Sequence, residues 1–213
     1  MERVYITVVN QNHVADIPHQ DIPDTDLTCI VKARQDYQYP SRIVTYKDLQ
    51  AARLTDEELF ELAYPSISPE HFCIRSIEQA ISECVGEELA ADVTSDIPHQ
   101  TIYVVSSKEG LDGASILANP VAMQSIQSRF GGGELMVIPS SVHEILIIRP
   151  EDAPDVQELN QIIHEINQRE VREDERLADH ALTFNGHLSI AAISSQDLEA
   201  EHTSKKERSM SCA

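Results

Sequence analysis

The sequence contains no tryptophan, and aromatic residues make up only 5% of it. Little is left for the stacking platforms that hold single-stranded nucleic acid. Basic residues are scarce too: 16 lysines and arginines stand against 36 aspartates and glutamates, a formal net charge of −20. Affinity for nucleic acid comes largely from cations that neutralise phosphates, so this balance argues against a nucleic-acid partner. It argues equally against an anionic membrane surface. The simplest reading is a solvated acidic surface, with a basic protein partner as the alternative. The four cysteines, Cys29, Cys73, Cys84 and Cys212, form no CxxC pair and no zinc-finger spacing, so reduced thiols are expected. Long apolar runs are missing. After Met1-Glu2-Arg3 only six mostly apolar residues precede Asn10, too few for a signal-peptide core or a membrane span. A cytoplasmic protein is expected. Phosphate loops are missing as well. Gly110-Leu111-Asp112-Gly113 and Gly131-Gly132-Gly133 have neither GxxxxGK[ST] nor GxGxxG spacing, and read as a turn and a helix end. No cofactor is expected.

What is present is organised around residues 101–150. Ile102-Tyr103-Val104-Val105, Leu135-Met136-Val137-Ile138 and Ile145-Leu146-Ile147-Ile148 are continuous apolar runs bounded by turn residues. Such runs suit strands covered on both faces, and these three should form the centre of one sheet. Between them, Gly110 to Gly113 leads into a short helical segment, Ala114 to Ala118. Asn119-Pro120 then opens a helix to Phe130, because Asn caps well and Pro is tolerated at the first helical position. Val121, Ile126 and Phe130 should supply its apolar face.

Before this unit, residues 4–9 and 27–31 read as strands, 10–26 as a loop, and 42–46 as an edge strand. Residues 47–53 form a short helix. Thr55-Asp56-Glu57-Glu58 is a capping box opening a helix that presents Leu59, Phe60 and Leu62. Ile74, Ile77, Ala80, Ile81 and Val85 recur at helical spacing and predict a helix to about Gly86. After the unit, Val156, Leu159, Ile162, Ile163 and Ile166 mark an amphipathic helix. Asn185-Gly186 signals a hairpin between residues 181–184 and 187–190. From residue 194 the apolar pattern ends and a disordered tail is expected. The predicted architecture is α+β: a mixed or mainly antiparallel sheet of six or more strands with packed helices, in one domain over residues 1–193.

Several segments together carry a resemblance: Val8-Val9-Asn10-Gln11-Asn12, Asp16-Ile17-Pro18-His19, Leu59-Phe60-Glu61-Leu62-Ala63, Tyr103-Val104-Val105-Ser106-Ser107-Lys108, Leu111-Asp112-Gly113-Ala114, Pro139-Ser140-Ser141-Val142-His143-Glu144 and Glu165-Ile166-Asn167. In these the chain resembles the bacterial domain-of-unknown-function family 5688, in the C-terminal two thirds of that family. The resemblance implies no activity.

The candidate sites are few. His143-Glu144, beside Ser140 and Ser141 at a strand end, offers an acid–base or metal pair. Ile147 stands where a zinc-protease helix would carry its second His. Ser141 and His143 lie two apart in a tight turn, an awkward spacing for a nucleophile and its base. Local turn roles are the favoured reading of all three. The tetrapeptide Ile-Pro-His-Gln occurs twice, placing His19 and His99 each three residues after an aspartate, Asp16 and Asp96. Two His and two Asp would make a metal set if they met in space. Rigid connectors with hydrogen-bonded histidines are the favoured alternative. The expected function is accordingly a non-enzymatic interaction or regulatory protein with a protein partner. The rival is a hydrolase or metal-dependent enzyme using His143 and Glu144.

Overall fold

The computed structural model describes residues 2–14, 16–35, 40–86 and 102–192. The acidic stretch 87–100 and the expected tail from residue 194 lie outside the described residues. The fold is α+β with two antiparallel sheets. The first is built on β1 (Arg3–Asn10) and β3 (Leu27–Arg34), which pair from Arg3 opposite Arg34 to Asn10 opposite Leu27. Two short strands, β2 (His19–Asp21) and β4 (Arg42–Ile43), pair with the other side of β3. Strand side chains alternate between faces. Ile6, Val8, Val31 and Ala33 therefore enter the core, while Tyr5, Thr7, Lys32 and Arg34 share the opposite, polar face.

The second sheet runs β10-β9-β7-β8-β6-β5. Its strands are β5 (Phe72–Ser76), β6 (Ile102–Ser107), β7 (Leu135–Ser141), β8 (Glu144–Ile148), β9 (Leu182–Phe184) and β10 (Leu188–Ile190). The three apolar runs are its centre, β7-β8-β6. Alternation divides their side chains cleanly. Val105, Val137, Ile145 and Ile147 join a core shared with the first sheet, while Met136, Ile138 and Ile148 face the other way. Both faces are thus covered, which is why the runs are apolar at every position.

Helices close these layers. Thr45 and Thr55 each cap a short helix through a capping box, α1 (Tyr46–Ala52) and α2 (Asp56–Ala63). Ser76 does the same with Gln79 for α3 (Ile77–Val85). Ile74, expected in that helix, instead lies in β5 opposite Val105, since the capping box starts the helix only after Ser76. A buried 3-10 segment, Gly113–Ala118, precedes α4 (Pro120–Arg129). Asn119 caps α4 by accepting from the Val121 and Ala122 amides, and its Nδ2 donates to the Ile67 carbonyl. That anchor turns Ala122, Met123 and Ile126 inward and leaves Val121 65% exposed, contrary to the expected face.

On the far face of the second sheet lies α5 (Val156–Glu170), packed through Leu159 and Ile163 on Met136, Ile138 and Ile148. Asn167 is buried on the same stripe and donates to the Ala178 carbonyl and to Asp179. This polar anchor rotates the helix, so Ile162 and Ile166, expected in the core, are half exposed.

Candidate functional site

The two sheets meet at Asp112. The turn that carries it is shaped by Ser107, whose hydroxyl donates to the Leu111 carbonyl and accepts from the Leu111 amide. Asp112 sits in the left-handed region, φ +52°, a conformation Asp tolerates better than most residues. Its side chain is buried against the polar face of the first sheet. The Thr7 hydroxyl donates to Oδ1 at 2.6 Å and the Lys32 ammonium donates to the same oxygen at 2.9 Å. A buried carboxylate needs such partners to offset desolvation.

The backbone of the same turn grips the β7–β8 turn. The Asp112 amide donates to His143 Nδ1 at 3.2 Å. In the neutral ring this places the proton on Nε2, which lies 3.6 Å from Glu175 Oε1. The Gly113 amide donates to the His143 carbonyl and the Ala114 amide to the Val142 carbonyl. A Cβ at Gly113 would stand 2.2 Å from that His143 oxygen, so only glycine allows the approach. Ser141 Oγ accepts from the His143 backbone amide, not from its ring.

Of the residues singled out in the sequence, Ser141, His143 and Glu144 are therefore neighbours, and Glu144 pairs with Ser106 and Ser141 in the ladder. His19 lies elsewhere. It is exposed on β2, on the opposite side of β3 from β1, with Nδ1 2.9 Å from the Ile17 carbonyl. Asp16 is exposed in the preceding loop. His99 and Asp96 lie outside the described residues. Among the described residues no group of three His, Cys, Asp or Glu side chains converges as a metal set.

Sequence reasoning missed Thr7, Lys32 and Asp112 as a set, and Tyr5 and Arg34 beside them. The signal was present in the alternation of β1 and β3, whose polar positions recur at period two within otherwise apolar strands. Tyr5, Arg34 and Asp112 border a cleft of about 390 Å³ between β1 and the 107–115 turn. Tyr5, Leu62, Phe72 and Leu111 give it apolar walls; Arg34, Glu109 and Asp112 add charge. The Arg34 guanidinium lies over the Tyr5 ring, 4.8 Å from its centroid, a cation–π contact. Burial pushes the Tyr5 hydroxyl above its ordinary pKa, with the Asp112 charge adding to this and Ser41 and Arg34 opposing it. A second cavity of about 430 Å³ lies between Phe60, Tyr64 and Cys29. Burial, aided by the Asp21 charge, pushes the Cys29 thiol up to about 12, so it stands there as an inert thiol and not as a nucleophile.

Fold and site together define an α+β protein of two antiparallel sheets, bolted by a Thr–Asp–Lys cluster in which Thr7 and Asp112 are buried and Lys32 is partly buried, with a cleft alongside. The chain belongs to the Family of unknown function DUF5688, whose model matches residues 2–185. No curated protein and no solved structure matches it. Among the described residues, no helix is long and apolar enough to cross a membrane.

Proposed function

We propose that the chain is a non-enzymatic binding protein of the cytoplasm, with a small-molecule ligand in the cleft beside Asp112. One observation carries this reading: the reactive side chains are committed to the joint between the sheets, and a cleft of about 390 Å³ with apolar and charged walls lies beside them. Asp112 holds Thr7 and Lys32, the His143 ring accepts from a backbone amide, and Ser141 accepts from the His143 amide. The cleft has the size of ordinary small-molecule sites, roughly 300–1,000 Å³, and their mixture of apolar wall and few polar groups. Leu62 and Leu111 at its border are 57% and 42% exposed, apolar surface that a ligand would cover. Cys29 and Cys73 are free thiols, in keeping with a reducing compartment. Ligand-dependent contact with a protein partner through the acidic surface is the regulatory part of the proposal. Nucleic acid and membranes are not its partners.

The test is to titrate the isotope-labelled protein with phenylnaphthylamine, a neutral aromatic probe, and follow backbone amide resonances. Saturable shifts centred on Tyr5, Ser107 and Leu111 are expected. Shifts that map to Phe60 and Tyr64 instead, or none at all, would contradict the placement. Turnover of a chromogenic ester that His143→Gln abolishes would contradict the non-enzymatic reading.

A further inference from the structure

We infer that the cavity between α2 and the first sheet is a binding site of its own, and that it takes an organic ammonium ion: one positive charge on a compact apolar body. The inference does not depend on the cleft beside Asp112. The cavity holds about 430 Å³, a size ordinary for small-molecule sites. Its floor is apolar. Ile6, Phe60 and Ile67 line it and are buried. Cys29 lines it too, 6% exposed, and its thiol has no hydrogen-bond partner among the described residues. A thiol is soft and polarizable, a surface for an apolar or aromatic body. Gln20, directly opposite Cys29 in the β2–β3 ladder, is exposed at the mouth.

The charge lies at that mouth. Glu57, Phe60, Glu61 and Tyr64 all line the cavity, and their spacing is that of one helical face. The face continues through Tyr64 because its amide still donates to the Phe60 carbonyl. Phe60 turns inward, while Glu57, Glu61 and Tyr64 are exposed. The two carboxylates are thus one helical turn apart, a spacing at which like charges cost a helix stability. Among the described residues neither has a hydrogen-bond or ion-pair partner. A cation between them removes the repulsion, and the Tyr64 ring offers a second attraction for it. The cleft beside Asp112 carries both signs of charge in its walls, whereas this cavity is lined by negative charge alone. Charge does not define the ligand by itself. A bare metal ion leaves the buried floor wet, and a neutral apolar molecule leaves the carboxylates uncompensated.

A matched pair of probes separates these two demands. Naphthylmethylamine, an ammonium ion at neutral pH, and naphthalenemethanol share one ring system and differ at one polar group. Both are titrated at low salt into the isotope-labelled full chain, followed by backbone amide resonances. The variants are Glu57→Gln with Glu61→Gln, Tyr64→Ser, and Glu170→Gln with Glu173→Gln, each checked for an unchanged circular dichroism spectrum. We expect one amine site per chain, with shifts centred on Gln20, Glu61 and Tyr64, bound about tenfold tighter than the alcohol, the scale of one charge-assisted contact. The preference should shrink as salt is raised, because the carboxylates are exposed. Glu57→Gln with Glu61→Gln should remove most of it and leave the alcohol unaffected. Tyr64→Ser should weaken both probes. Glu170→Gln with Glu173→Gln changes the net charge equally at exposed positions elsewhere and should alter neither. Equal binding of amine and alcohol would overturn the inference. So would an equal loss in both glutamate pairs, which would assign the preference to the net charge of −20. So would a blocked lysine amide that binds as tightly as the amine, which would assign the rim to a basic peptide. The cleft beside Asp112 stands or falls separately, on shifts at Tyr5, Ser107 and Leu111.

Discussion

Thr7 and Asp112 are separated by 105 positions in the chain, yet the threonine hydroxyl donates to the carboxylate at 2.6 Å. This bond, with Lys32 on the same oxygen, joins a strand of the first sheet to the turn that holds the β7–β8 loop of the second. The joint is polar within an otherwise apolar core. A buried carboxylate that loses its charge leaves its cation unpaired.

Asp112→Asn should therefore lower unfolding free energy by about 1.5–3 kcal/mol, the range for hydrogen bonds to charged groups. Asn keeps the tolerance for the left-handed backbone and can still accept from Thr7, so the loss reports the charge. Urea denaturation of Asp112→Asn, Lys32→Met and the double variant measures it. Additive losses within about 0.5 kcal/mol would show that the two side chains do not act as a pair.

Gly113 and Gly133 offer a matched comparison. A Cβ at Gly113 would meet three backbone atoms within 2.8 Å, the His143 carbonyl oxygen closest, whereas one at Gly133 meets nothing within 4 Å. Gly113→Ala should prise the 107–115 turn from the β7–β8 turn and destabilise by more than about 3 kcal/mol, beyond the usual effect of a point substitution. Gly133→Ala should stay within about 0.5 kcal/mol of the parent. Thermal melts of the two proteins check this, and similar midpoints would mean that the close approach at His143 does not exist in solution.

A second joint should respond to pH. His180 lies 3.2 Å from Asp26. The Asp26 carboxylate beside it raises the His180 pKa despite partial burial. Asp26 is itself held below its ordinary value: burial pushes it up, and His180 and Asn10 more than offset that. A raised imidazole stabilises the fold fully below its unfolded value of 6.5, and that stability is lost as pH rises through the folded value. The lowered carboxylate stabilises above its unfolded value of 3.8 and is lost as pH falls through the folded one. The joint is thus strongest between those two ordinary values. His180→Asn should flatten the fall in melting temperature from about pH 6 to about pH 8. An unchanged slope would assign that fall to other groups.

Much of this architecture is legible in the sequence, and the reasons differ by element. The centre of the second sheet is plain because β6, β7 and β8 are covered on both faces, so each writes an unbroken apolar run. Asn119 and Thr55 declare their helices because a cap is local chemistry. The Asn185-Gly186 hairpin is legible for the same reason; Gly186 takes a positive φ of +75°. β5 is hidden because Ile74 fits a helical period that begins only at Ile77. The rotation of α5 is hidden because Asn167 bonds to Ala178 and Asp179, partners that periodicity does not reveal. At the site, His143 and Ser141 stand out by residue type, but Asp112 draws on Thr7 and Lys32 from distant strands. The alternation of β1 and β3 marks their polar face, but no spacing in the chain says that Asp112 meets it, so the residues around the cleft are brought together only by the fold.

The division of labour between His143 and the cleft is most directly tested by one dissociation constant measured in two variants. Anilinonaphthalene sulfonate is titrated into His143→Gln and into Leu111→Asp, with unfolding free energies measured alongside. His143→Gln should lose about 0.5–1.5 kcal/mol of stability, one hydrogen bond, with affinity within about twofold of the parent, less than 0.5 kcal/mol of binding energy. Leu111→Asp, at an exposed border position, should keep its stability and lose at least about tenfold in affinity, or 1.4 kcal/mol. The reverse pattern, with binding lost through His143 and retained through Leu111, would make His143 the functional group and the cleft a surface feature.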